Sequence, residues 1–211
     1  MKKNILILVL FVANSTLLRS QTSVQKYPTP EYSNEIYFFK KDSAQLSRLE
    51  KGYSKMGTKA GLGGGEYSYP LEGSKSNVRL PSGNLSFIFF VGTAGGSSAQ
   101  SDSVMRANGM DPSAMGDAMG MMDDPSRTTS LYSMSVEKGS RKIILQSFGG
   151  MKLISKAKKE STKYTLSIKK VKAGYFELVV DKPLPRGEYA FLVQGSGNAD
   201  GSSTIFAFGV E

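Results

Sequence analysis

Three methionines stand at a spacing that soft-metal chemistry could use. Met115, Met119 and Met122 fall at i, i+4 and i+7, and Asp111-Pro112 just upstream reads as an N-cap followed by proline at the first helical position. A helix from Pro112 would put the three thioethers on one face, and sulfur donors select Cu(I) over hard cations. Met105, Met110 and Met121 share the segment, which holds six of the ten methionines in the chain. The chain has no histidine or cysteine to complete a metal site, and Gly116 and Gly120 each weaken such a helix by about 1 kcal/mol. Methionine is also the adaptable filler of cores and of partner surfaces. The first expectation is therefore packing, then a partner surface through Met110, Met115, Met119, Met121 and Met122, and last Cu(I) capture at Met115, Met119 and Met122. No resident cofactor is expected.

A second candidate is basic. Lysines 152, 156, 158, 159, 163, 169, 170 and 172 face a single acid, Glu160, within one stretch. Such a patch attracts an acidic surface or an anionic glycan, with Lys156, Lys158 and Lys159 at its densest point. Nucleic acid is not expected, because the aromatic and arginine interleaving of single-strand binders is missing. Lysines are also what exposed strands carry to discourage edge pairing.

The absence of histidine and cysteine removes Ser-His-Asp and Cys-His machinery and imidazole–thiolate zinc sites. Ser23 to Lys26 and Ser135 to Lys138 match the S-x-x-K spacing, but that dyad needs a helix start, and one match lies in a leader, the other on a strand entering a turn. Asp111, Asp117, Asp123 and Asp124, like Asn198, Asp200 and Ser202, lack the alternating oxygen ligands of an EF-hand and suit turns. The aromatics, including Tyr37-Phe38-Phe39, Tyr67 and Tyr69, read first as core. The expectation is a non-catalytic binding or structural module. The alternatives are a periplasmic Cu(I)-handling protein and a carboxylate-based glycan hydrolase, whose paired acids cannot be located without a fold.

The elements that must position these residues are strands. Short alternating apolar runs separated by Gly, Ser, Asn and Pro predict strands at 36–40, 66–71, 77–80, 85–91, 130–136, 142–148, 164–170, 175–180, 189–194 and 204–210. Pro81-Ser82-Gly83-Asn84, Lys138-Gly139-Ser140 and Lys172-Ala173-Gly174 supply the turns. The fold class is all-β, an antiparallel β-sandwich of Ig-like character in one domain over 35–211. It would follow an extended leader at 21–34 and carry a long Met/Gly-rich loop insertion at 92–129, with 57–65 as a flexible loop.

Residues 1–20 order themselves as a signal peptide: Lys2 and Lys3, an apolar run from Ile5 to Ala13, then a polar exit with a cut between Ser20 and Gln21. The run is about half of the roughly twenty residues that a membrane span needs. Export to the periplasm or beyond is expected, with no transmembrane span after cleavage. Of the 27 basic residues, Lys2, Lys3 and Arg19 leave with the signal, so 24 face 18 acidic ones, a net of +6. With no cysteine, neither disulfides nor a lipid-anchoring cysteine are available, and strand pairing and packing must hold the fold.

Pro183-Leu184-Pro185-Arg186-Gly187-Glu188-Tyr189-Ala190, a Gly/Ser/Asn turn, and Ile205-Phe206-Ala207-Phe208-Gly209-Val210-Glu211 together resemble the closing hairpin of uncharacterised secreted β-sandwich proteins of Bacteroidota-type bacteria. The Ser20–Gln21 junction is similar to export signals of those bacteria, and Asp42-Ser43-Ala44 and Asp102-Ser103-Val104 resemble their O-glycosylation acceptors. The resemblance implies a sandwich fold and export; an envelope protein or an anionic glycan as partner is the expectation from the methionine segment and the lysine stretch. It implies no chemistry.

Overall fold

A computed structural model describes residues 27–61, 64–91, 107–109, 124–148, 160–194 and 198–211. The chain runs β1 (Glu35–Lys40), β2 (Gln45–Arg48), β3 (Glu50–Ser54), β4 (Gly57–Gly61), β5 (Gly64–Glu72), β6 (Arg79–Leu80) and β7 (Ser86–Phe90). A one-turn helix α1 (Pro125–Thr128) leads into β8 (Thr129–Ser133), β9 (Ser135–Glu137), β10 (Ser140–Phe148), β11 (Lys163–Tyr164) and β12 (Leu166–Lys172). The last strands are β13 (Tyr175–Val180), β14 (Gly187–Val193) and β15 (Ser203–Val210). The fold is an all-β antiparallel sandwich, and it has three layers. Strands β12-β13-β7-β1-β2 form one outer sheet, β11-β8-β14-β15-β3 the middle sheet, and β4-β5-β10-β9 the other outer sheet. Among the described residues only the short β6–β15 pairing is parallel.

The middle layer explains the apolar runs at the carboxyl end. A strand covered on both faces has no solvent side and loses its polar alternation. Tyr189, Phe191 and Val193 of β14, with Phe206, Phe208 and Val210 of β15, pack against Ile36, Phe87, Phe89 and Leu178 of the first sheet. Their neighbours Ala190, Leu192, Ile205 and Ala207 pack the other way, against Tyr69 and Ile143. Each fully buried aromatic, such as Phe87, Phe191 or Phe208, contributes about 1.5–3 kcal/mol. The Tyr189 hydroxyl donates to the Pro185 carbonyl at 2.7 Å, the tyrosine-corner contact of Greek-key sandwiches.

The expected strands at 130–136 and 164–170 each turn out to be two strands in different sheets, and β2 and β3, which the sequence did not predict, also belong to different sheets. The chain passes between layers at Leu49 (β2 to β3), at Met134 (β8 to β9) and at Thr165 (β11 to β12). The expected flexible loop at 57–65 is instead β4 and the start of β5, paired from Gly57↔Ser68 to Gly61↔Gly64. Glycine suits this hairpin because Phe148 lies against Gly65, where a Cβ would collide with its ring. The described part of the leader also packs: Tyr27 stacks on Phe39 at 5.6 Å and meets Tyr175 edge-on at 5.9 Å. Its hydroxyl donates to Glu177 at 2.8 Å, and that of Tyr175 donates to the Pro28 carbonyl at 2.6 Å. Among the described residues no helix is long and apolar enough to cross a membrane.

Candidate functional site

The buried carboxylates are the first place to look for chemistry, and cations hold them. Glu35 receives a two-pronged contact from Arg48 at 3.0 and 2.9 Å and a third from Lys51 at 3.3 Å. Glu177 accepts from Ser86, Tyr27 and Lys41, each at 2.8 Å. Burial would raise the pKa of Glu177, yet these donors hold it below the usual carboxylate range. Lys142 reaches Glu66 at 2.9 Å and Glu137 at 3.4 Å.

The largest cluster lies where the middle sheet meets the β5–β10 layer. Arg141, 1% exposed, donates to the carbonyls of Gly73 and Glu72, both at 3.0 Å, grips Glu50 with both terminal nitrogens, and sits 3.6 Å from Glu188. Glu188 is also held by Arg79 and by the Ser76 amide at 2.8 Å. Burial would push Glu50 up, but Arg141 and the hydrogen bonds beside it bring it down. Two acids that share an arginine are a structural clamp. The carboxylate pair of a glycosidase instead requires one group kept protonated or free to attack.

The remaining candidate is a cleft of about 520 Å³ at the Thr165 corner. It is built from three short pieces. Asp124-Pro125 starts α1: the Asp124 carboxylate caps the Ser126 amide at 2.9 Å, and this hydrogen bonding lowers its pKa. The Thr128 carbonyl accepts from the Gln194 amide at 2.9 Å, which pins the turn to the end of β14. β8 then runs beside β11 in the register Lys163↔Tyr132 and Tyr164↔Leu131. At Thr165 the chain leaves the middle sheet for the edge of the outer one, and the two layers part.

Ser126, Thr129, Ser130, Lys163, Tyr164, Thr165, Leu166 and Ile168 line the resulting wedge; the register puts Thr129 and Tyr164 on the face of Leu131, and Ser130 and Lys163 on that of Tyr132. The Tyr164 ring is braced edge-on against Tyr189 at 5.6 Å. Thr129 is only 5% exposed, and its hydroxyl has no hydrogen-bond partner among the described residues. That omission costs about 1–3 kcal/mol unless something else satisfies it. Among the described residues Lys163 makes no ion pair, and none of the described residues lining the cleft carries a carboxylate.

Of the residues singled out in the sequence, Met110, Met115, Met119, Met121, Met122, Lys156, Lys158 and Lys159 lie outside the described residues, as does the helix expected from Pro112. Lys169, Lys170 and Lys172 sit exposed on the edge strand β12, where lysine guards against pairing. Asp200 accepts from the Ser202 amide at 3.0 Å and hydroxyl at 2.7 Å, which is the turn chemistry expected of it. Tyr37, Phe39 and Tyr69 are core. Among the described residues no group of three or more acidic side chains is placed to hold a metal. The sequence did not single out Ser126, Thr129, Ser130, Tyr164 and Thr165. Asp124-Pro125 carries the same N-cap–proline signal that drew attention to Asp111-Pro112 and would have marked the entrance. Comparison of the chain with protein-family models, curated proteins and solved structures gave no match.

Proposed function

We propose that the chain is an exported, non-catalytic β-sandwich module of the envelope or extracellular space, and that it works by binding. The observation carrying this reading is the cleft at Thr165, lined by Ser126, Thr129, Ser130, Thr165, Tyr164, Leu166 and Ile168, where two layers part. Its volume of about 520 Å³ falls in the range of small-molecule sites, about 300–1,000 Å³. The charged clusters elsewhere are closed on themselves and support the sheets. Export rests on the order of charged, apolar and polar segments in residues 1–20.

Amide hydrogen exchange on the chain from Gln21 tests the binding reading against a panel of saccharides, short peptides and small organic acids. At least one class should slow exchange at 126–130 and 163–168. Protection by none of them, or turnover of any panel member, overturns it. For export, the full-length chain expressed with its first twenty residues should be recovered outside the cytoplasm beginning at Gln21. Recovery with Met1 retained refutes that part.

A further inference from the structure

The outer face of the first sheet already holds an extended segment. Ile36, Phe87, Phe89 and Leu178 point into the sandwich, so their neighbours along β1, β7 and β13 point out of it. The register sets Tyr175 beside Phe90, Glu177 beside Ile88, Ile88 beside Tyr37, and Phe39 beside Leu46. All of these side chains share the outward face, yet Phe39, Ile88 and Tyr175 are no more than 2% exposed. The chain's own leader lies over them: Tyr27 packs on Phe39 and Tyr175, and Pro30 is buried.

The leader is seated without a ladder. Residues 27–34 form no strand, and Pro28 and Pro30 lack the N–H that strand pairing uses. Side chains of the face grip it instead. Glu177 accepts from the Tyr27 hydroxyl at 2.8 Å, and the Tyr175 hydroxyl donates to the Pro28 carbonyl at 2.6 Å. The Tyr37 hydroxyl accepts from the Tyr32 amide at 2.9 Å, and Arg48 lies over the Tyr32 ring at 4.5 Å. An aromatic-lined surface that seats a proline-bearing extended segment is a recurrent mode of peptide recognition.

The joint to the fold is short and exposed. Ser33 and Asn34 are both exposed, and Asn34 turns into β1 with φ at 57°, a left-handed conformation that few residues other than glycine and asparagine adopt readily. None of the grips depends on leader and groove belonging to one chain. A second copy carries the identical segment ahead of its own fold, so exchange across a hinge supplies the same contacts in trans.

We infer that the outer face of the first sheet is an association surface between two copies of this chain, each seating residues 27–32 in the groove of the other. The attached leader competes at an effective concentration of about a millimolar, so the dilute protein keeps its own leader seated and exchange takes over when the chains are concentrated or one seat is impaired. The surface is separate from the Thr165 cleft, whose Leu166 and Ile168 lie on the inward face of the same sheet.

The test mixes two variants of the chain from Gln21. Tyr27→Ala impairs the segment and leaves the groove; Tyr175→Phe with Glu177→Gln impairs the groove and leaves the segment, and Glu177→Gln alone serves if the double variant does not fold. Each should keep the strand signal of the parent by circular dichroism and sediment as a monomer at about 0.1 mM, below the effective concentration of its own leader. Mixed, they should form a one-to-one complex at least about tenfold tighter than either forms with itself, and amide exchange at 35–40 and 86–90 of Tyr27→Ala should slow. A synthetic peptide of residues 21–34 should slow exchange at the same positions, and the peptide carrying Tyr27→Ala should not. A mixture that stays monomeric up to about 1 mM, or that associates no more tightly than either variant alone, overturns the inference. Binding of the peptide without association of the mixed chains overturns it as well, because the groove then rejects the segment of a second folded copy.

Discussion

Replacing Arg141 by methionine should cost the fold about 3 kcal/mol at pH 7, and the loss should shrink on acidification. Methionine fills most of the volume of the arginine stem, so the experiment removes charge and hydrogen bonds while leaving little void. Arg141 is 1% exposed and serves two carbonyls and two carboxylates. Breaking a buried ion pair from one side costs about 3–5 kcal/mol, because the other charge stays buried alone. The lower end applies here, since Glu188 keeps Arg79 and the Ser76 amide and Glu50 keeps its contacts with Ser76 and Asn77. With a urea slope of about 2 kcal/mol/M, the midpoint should fall by roughly 1.5 M.

The sign with pH follows from Glu50, whose folded pKa is held below its unfolded value. Its stabilising share is present above the unfolded value, about 4.3, and is lost as pH falls toward and through the folded one. In Arg141→Met burial dominates and raises that pKa, so the variant carries a penalty at neutral pH that protonation relieves. The gap between the two proteins should therefore narrow by more than 1 kcal/mol between pH 7 and pH ~4. Urea titrations followed by tyrosine fluorescence at both pH values measure it. A loss below 1 kcal/mol at pH 7, or a gap that does not change with pH, would show that the clamp works through packing or the carbonyls, and the electrostatic reasoning would fall.

Three further perturbations bear on the frame. Gly209→Ala should destabilise by about 1–2 kcal/mol, because a Cβ there would run into the Arg79 guanidinium on its way to Glu188; in an Arg79→Ala background it should cost almost nothing by thermal melting, and a full additive cost would refute the collision. Tyr189→Phe removes the hydroxyl that binds the Pro185 carbonyl and should cost about 1 kcal/mol in urea midpoint, with no change in the strand signal by circular dichroism. The Tyr27 and Tyr175 hydroxyls are pushed up to about 12, chiefly by burial. Both pKa values are raised on folding, so their contribution is complete below the unfolded value of about 10 and is lost as pH rises through about 12. Phenolate absorbance should show Tyr27 and Tyr175 among the late-titrating tyrosines of the native protein, with Tyr189, which burial also pushes up, and Tyr27→Phe should remove one of them; the same titration curve in both proteins would refute the clamp.

The sequence exposed the strands through alternation and left their assignment to sheets hidden. Alternation between two faces continues when a strand changes partners, so Met134 and Thr165 look like ordinary members of a run, whereas β2 and β3 on either side of Leu49 fell outside every expected strand. The carboxyl hairpin was readable as a pair of strands from Gly187 to Val210, and its unbroken apolar character was the visible trace of a layer covered on both faces. In the third sheet β5 and β10 were readable at 66–71 and 142–148, but β4 and the start of β5 were hidden: their glycines carry no pattern, and at Gly65 Phe148 packs on backbone. At the cleft, Lys163 stood out as one lysine among eight, whereas Thr129 and Ser126 are hydroxyls of a kind found in any turn. What distinguishes them is a neighbouring cavity, and for Thr129 an unmet hydrogen bond as well, and both come from tertiary structure.

The three corners also explain why the candidate site falls where it does. A hairpin buried on both faces has no room for functional polar groups, so binding has to use places where the layers part. At the Leu49 corner, Arg48 and Lys51 close on Glu35. The Met134 corner is sealed by the methionine itself, 8% exposed among the apolar residues between layers. Among the described residues neither device is present at Thr165: the corner residue is exposed and a cleft opens beside it. Ser126 and Thr129, near the end of the segment read as an insertion, line that opening. Changes on that side can therefore reshape the cleft while the central hairpin keeps its packing on both faces.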